Sequence, residues 1–99
     1  MRLQYSDDAE ADIISIGRHI ALDDRQTAID FLERLRIFIE DIPARTEIYR
    51  LRIEWGASIR AANFRGYLIL FETSDTILTI LRVANGKRDI ARVLREGRQ

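Results

Sequence analysis

Residues 59–98, IRAANFRGYLILFETSDTILTILRVANGKRDIARVLREGR, set out three short apolar runs and then a basic close. The runs are IRAANF (59–64), YLILFE (67–72) and TILTILRV (76–83), separated by the turn-forming pairs Arg65-Gly66 and Ser74-Asp75. Runs this short, bounded by turn residues, predict three antiparallel β-strands joined in sequence. The second and third are almost continuously apolar, as expected for central strands covered by helices. The third ends in Arg82 and passes through Asn85-Gly86 into a segment with Lys87, Arg88, Arg92, Arg95 and Arg98, offset only by Asp89 and Glu96. Residues 89–96 are expected to form a short helix, with Asp89 capping it and Ile90, Val93 and Leu94 facing inward. A cationic cluster launched from the end of a buried strand is placed to meet an anionic or strongly polar partner.

Upstream of residue 44 the period changes. Residues 2–5, RLQY, are short and extended and predict a first strand. Ser6 then offers an N-cap, and Asp7, Asp8 and Glu10 fall in the first turn, where the helix dipole favours acids. Ala9, Ile13, Ile16 and Ile20 recur at helical spacing. Asp23-Asp24 stops this helix and caps a second, whose stripe is Ala28, Phe31, Leu32, Leu35, Phe38, Ile39 and Ile42, ending at Pro43. Two helices so close in sequence predict an antiparallel hairpin. Residues 44–57 are ambiguous; Ile48, Leu51 and Ile53 suit a loop with a short edge strand. The expected fold is α+β: an N-terminal strand, a helical hairpin packed on one face of a twisted antiparallel sheet, and a short C-terminal helix.

The 99 residues, 46% of them apolar, are expected to make one domain over 1–99 with a sizeable core. No apolar run approaches the roughly 18 residues of a membrane span, and the acidic start MRLQYSDDAEAD is unlike a signal peptide. The expectation is a soluble, cytoplasmic protein with no membrane partner. The absence of cysteine excludes disulfides, thiolate metal sites and thiol catalysis. No acid–histidine cluster suggests a metal, and no cofactor is expected. A net charge of zero conceals a split: residues 1–43 carry ten acids against five arginines, and residues 44–99 carry eleven bases against six acids. The molecule should be dipolar. All basic residues but Lys87 are arginine, whose planar fork suits carboxylate or phosphate. A GC-rich coding sequence would account for the ratio, though not for the segregation.

Four stretches, in order, resemble the RelE/ParE superfamily of bacterial toxins from type II toxin–antitoxin pairs, and the ParE branch best. They are YSDDAEADIISIGRHI, with Ala9, Asp12 and Ile13; AIDFLERLRIFIEDIP, with Ala28, Phe31, Leu35 and Pro43; IRAANFRGYLILFE, with Arg60 before Tyr67-Leu68-Ile69; and ILRVANGKRD. The chain departs from the family pattern at Ala44-Arg45-Thr46-Glu47, where a glycine often follows the proline, and at Ala84-Asn85, where leucine-histidine is common.

The resemblance implies two kinds of action. ParE-like members inhibit DNA gyrase, which asks for a binding surface; Arg82, Lys87, Arg88, Arg92 and Arg95 are the candidates for it. The bland reading of Arg92 and Arg95 is the solvated face of a short helix. RelE-like members are ribosome-dependent mRNA endoribonucleases, which need cations for phosphorane charge and an acid–base group. Arg60, Arg65, Arg82 and Lys87 are the candidates, Arg82 foremost because it matches a position those ribonucleases use. The tail after Asn85 has neither tyrosine nor histidine. His19, on the first helix, is read as a flank residue without a chemical role, and Glu54 or Glu72 as bases that nothing in the spacing selects. Trp55 reads as core or edge packing before a stacking platform, and Tyr67 as structural. The basic segment lacks interleaved aromatics, which disfavours a single-strand stacking groove.

The resemblance also implies a ParD-like antitoxin that wraps the toxin, with DNA reached only through the antitoxin or gyrase. Its helix is expected in an apolar groove between hairpin and sheet, lined by Ile16, Ile20, Leu32, Leu35, Ile39 and Leu51. A remnant that acts only with its antitoxin in autoregulation is a third reading.

Overall fold

The computed structural model describes residues 1–97. The chain runs through β1 (Arg2–Tyr5), α1 (Asp7–Ala21), α2 (Arg25–Asp41), a 3-10 helix (Ile42–Ile48), β2 (Arg60–Phe64), β3 (Tyr67–Thr73), β4 (Ile77–Asn85) and α3 (Ile90–Glu96). Local side-chain chemistry starts each helix. Ser6 Oγ accepts from Ala9 N at 3.0 Å and donates to the Leu81 carbonyl at 2.8 Å, so one hydroxyl both caps α1 and fastens it to β4. Asp24 caps α2 through Thr27 N, and Asp89 caps α3 through Arg92 N. Ring closure at Pro43 removes an amide donor where α2 gives way to the 3-10 turn.

The sheet order is β1-β4-β3-β2. The three later strands are antiparallel, as expected, while β1 joins β4 in parallel, with Arg2 opposite Ile77 and Tyr5 opposite Ile80. The sheet is therefore mixed. A three-strand meander returns β4 to the direction of β2, and the helical connection enters β2 in the direction of β1, so β1 and β4 meet parallel. The ambiguous stretch before β2 contributes one isolated bridge, Leu51 to Arg60, and no strand.

Both faces of the sheet are covered. Ile69, Phe71, Leu78, Ile80 and Val83 pack with Ala9, Ile13, Leu35, Ile39 and Ile42 beneath α1 and α2. Leu70 and Ala84, on the other face, pack with Ile90 and Val93 of α3, with Trp55, Leu68 and Leu94 around them. So the helices do not all lie on one face; α3 takes the opposite one, which explains why the strands are apolar at successive positions. α1 and α2 approach closely at Gly17, where an added Cβ would stand 2.7 Å from Leu32 Cδ1.

One irregularity re-aims β4. Leu70 pairs with Arg82 and Phe71 with Ile80, leaving Leu81 as an extra residue in a β-bulge. Strict alternation would put Ile80 and Val83 on opposite faces; the bulge puts both under the helical layer. Among the described residues no helix is long and apolar enough to cross a membrane.

Candidate functional site

β1 ends opposite Ile80, so the edge of β4 beyond it has no strand neighbour. Asp12 of α1 closes that edge. Its carboxylate accepts from Arg82 Nε at 2.7 Å, from Arg82 Nη2 at 2.9 Å and from Val83 N at 2.9 Å. Arg82 Nη1 donates in addition to the Val93 carbonyl of α3. The two side chains are only 13% and 14% exposed. Hydrogen bonding to Asp12 holds the Arg82 guanidinium above the ordinary arginine pKa, against the opposing effect of burial. Arg82, expected as the foremost partner contact, is thus turned inward. It ties β4 to α1 and α3, because beside the open strand edge both the Asp12 carboxylate and the Val93 carbonyl lie within its reach.

The other expected cations divide. Arg60 Nη1 donates to the Tyr49 carbonyl and anchors the loop before β2. Lys87, Arg88, Arg92 and Arg95 are exposed on α3 and its lead-in turn. That turn is built by Asn85, whose carbonyl accepts from Arg88 N and whose Oδ1 accepts from Lys87 N. Arg88 and Arg92 each lie 3.4 Å from Glu96 in exposed pairs that solvent screens. Arg98 lies outside the described residues. Ile90 and Val93, only 4% and 1% exposed, fix the face that α3 turns outward.

Two hollows flank the end of β4. On one side a cleft of about 630 Å³ is lined by Arg52, Trp55, Asn63, Arg65, Asn85 and Lys87, among others. Trp55 is half-buried against the α3 core as expected, and the Arg52 guanidinium lies over its ring, 4.0 Å from the centroid. On the other side a pocket of about 330 Å³ gathers His19, Tyr67, Asn85 and Arg88. Sequence reasoning gave His19 no role. The signal was its helical spacing from Asp12, since Asp12, Ile16 and His19 share one side of α1 and line this pocket together. Glu54 and Glu72 lie instead by a third hollow. There Glu54, held ionised by a backbone hydrogen bond and by Arg52 at 2.9 Å, and Glu72, accepting from Ser58 Oγ at 3.0 Å, are already engaged.

The expected antitoxin-lining residues do not form one surface. Leu35 and Ile39 are 1% and 0% exposed and belong to the core, because the α2 stripe that carries them faces the sheet. Ile16, Ile20 and Leu32 are half-buried, and Leu51 is 43% exposed on the loop before β2. The structure has a different apolar groove, of about 680 Å³, between α2 and the β2 edge. Ile37, Phe38 and Phe64 line it, with Arg34, Glu40, Asp41, Arg45 and Arg65 around them, Arg45 being paired with Asp41 at 2.8 Å. Among the described residues no group of three or more His, Asp or Glu side chains is arranged to hold a metal.

Comparison with known proteins gives a family and a fold. The family model described as ParE toxin of type II toxin-antitoxin system, parDE, matches residues 3–90. A solved chain from the structure titled "Chromosomal ParDE TA system from P. aeruginosa" superposes with a TM-score of 0.75 and 17% identity, covering 86% of this chain and 95% of that one. At that identity the likeness is one of fold. No curated protein matches the chain.

Proposed function

The chain belongs to the ParE toxin family of type II toxin–antitoxin systems, and on that premise we propose that it acts in the cytoplasm by binding DNA gyrase and is neutralised by a ParD-like antitoxin. The observation that carries this reading is the set of exposed cations Lys87, Arg88, Arg92 and Arg95 on α3 and its lead-in turn, the helix's apolar face being locked into the core. Such a set suits an acidic protein surface or the phosphates beside it, and complementary charge of this kind sets association rate and register. Arg82 serves as a positioning residue, holding α3 against β4 rather than touching the target. The groove lined by Ile37, Phe38 and Phe64, with charges of both signs around it, suits an amphipathic antitoxin segment.

The test is supercoiling by purified gyrase. The parent protein should suppress supercoiling and accumulate cleaved DNA. A variant with Lys87, Arg88, Arg92 and Arg95 changed to Gln, shown to be folded by circular dichroism, should be weaker by at least about tenfold, equivalent to about 1.4 kcal/mol. Unaltered supercoiling in the presence of the parent protein would remove gyrase as the target.

A second reading, ribosome-dependent mRNA cleavage of the RelE type, is favoured by one observation. His19 and Tyr67 bring an imidazole and a phenol to the pocket that Arg88 lines, and imidazole suits proton transfer near neutral pH. In that reading His19→Ala abolishes transcript cleavage; in the leading one it leaves gyrase inhibition unchanged.

A further inference from the structure

The cleft between the β2–β3 hairpin tip, the end of β4 and the loop at Arg52–Trp55 offers donors and no carboxylate. Arg65 and Lys87 take part in none of the ion pairs among the described residues. Asn63 Oδ1 accepts from Gly66 N, and Asn85 Oδ1 accepts from Lys87 N. Each asparagine thus commits its carbonyl oxygen to its own turn and keeps its NH2 group as a donor. Lys87, Arg65 (whose guanidinium rests over the Phe64 ring, 5.1 Å from its centroid) and two amide donors around one hollow describe a site for an anion.

Two further features make the site selective. The Arg52 side chain is only 25% exposed and is held by Glu54 while its guanidinium carbon lies over the Trp55 ring, 4.0 Å from the centroid. Its charge is largely offset, so what it presents is a fixed plane, and unstacked nucleobases stack on guanidinium planes and on aromatic rings. Arg65 occupies the first position of the two-residue hairpin turn, at φ 52°, followed by Gly66 at φ 91°. That turn favours asparagine, aspartate or glycine at both positions. An arginine there carries backbone strain that the fold does not need, and strain of this kind collects at functional positions.

We propose that this cleft is a subsite for single-stranded nucleic acid, with one base on the Arg52–Trp55 stack and its flanking phosphates against Arg65 and Lys87. The volume, about 630 Å³, falls within the roughly 300–1,000 Å³ of small-ligand sites. A duplex keeps its base faces stacked and closed to the platform, so an unpaired segment is the form that fits. The basic segment by itself has no aromatic; the fold supplies one from more than thirty residues upstream. The inference stands on the cleft and does not depend on gyrase being the target.

Trp55 is the single tryptophan of the chain, so its fluorescence reports this site alone. Short single-stranded oligodeoxynucleotides and oligoribonucleotides are titrated at near-physiological salt, beside a duplex of the same sequence, inorganic phosphate and an acidic peptide. Saturable quenching by either single strand, well ahead of the duplex, is the expected result, and the preferred sugar names the source. Arg65→Asn should weaken that binding about tenfold while raising Tm, because it removes a phosphate contact and relieves the turn. A purely structural role for Arg65 would not move the two readouts in opposite directions. Lys87→Gln should weaken binding with Tm unchanged. Quenching by the acidic peptide alone, equal response to duplex and single strand, or no response to either strand would overturn the proposal.

Discussion

Asp12 and Arg82 stand 70 residues apart and share three short contacts with each other and the Val83 amide. Removing one member leaves the other charge poorly solvated, whereas removing both does not. Asp12→Ala is therefore expected to cost about 3 kcal/mol, lowering Tm by roughly 12–24 °C in a domain of this size. The double change Asp12→Ala/Arg82→Ala should be little worse than either single one. Additive losses in thermal unfolding would show that the two residues act independently. Arg82 stood out in the sequence as a charge ending an apolar run. Its partner did not, because no local spacing links a helix residue to a strand at the far end of the chain. For the same reason the pocket of His19, Tyr67 and Arg88 was not legible, while the exposure of Lys87 and Arg88 beside Asn85-Gly86 was.

Helix starts were legible because a cap is a contact across three residues. Ser6, Asp24 and Asp89 each accept from the backbone three positions on. Asp24 allows a test by pH. Hydrogen bonds from the Thr27 side chain and amide hold its carboxyl below the usual aspartate range. A folded-state value below the unfolded one means the cap stabilises at neutral pH and loses that contribution as pH falls through the folded value. Asp24→Ala should melt below the parent at pH 7, and the gap should close in strong acid. A gap that persists undiminished there would contradict the assignment. What local reading missed among the elements depends on partners. The Leu81 bulge exists only relative to β3, the parallel sense of β1 only relative to β4, and Leu51 makes a single bridge because Arg60 is beside it.

Across the whole molecule the charge split visible in the sequence becomes a split between layers. The acidic half forms β1 and the helical hairpin, and the basic half supplies three strands and α3. The sheet lies between two cores, so α3 carries Arg92 and Arg95 on the side away from the helical hairpin, while Arg88 of the lead-in turn lines the pocket beside His19 of α1. Nothing in the linear order required α3 to take that face. It follows from the bulge, which turns Ala84 toward Ile90 and Val93. The central claim is that this outward cationic face, rather than proton-transfer chemistry, carries the toxin's action. Its most direct measurement is protein-linked double-strand breaks in chromosomal DNA after induced expression, with transcript ends mapped in the same cells. The account predicts breaks with the parent chain, their loss when Lys87, Arg88, Arg92 and Arg95 are neutralised, and intact transcripts throughout. Unbroken DNA together with transcripts cut at ribosomal positions would contradict it.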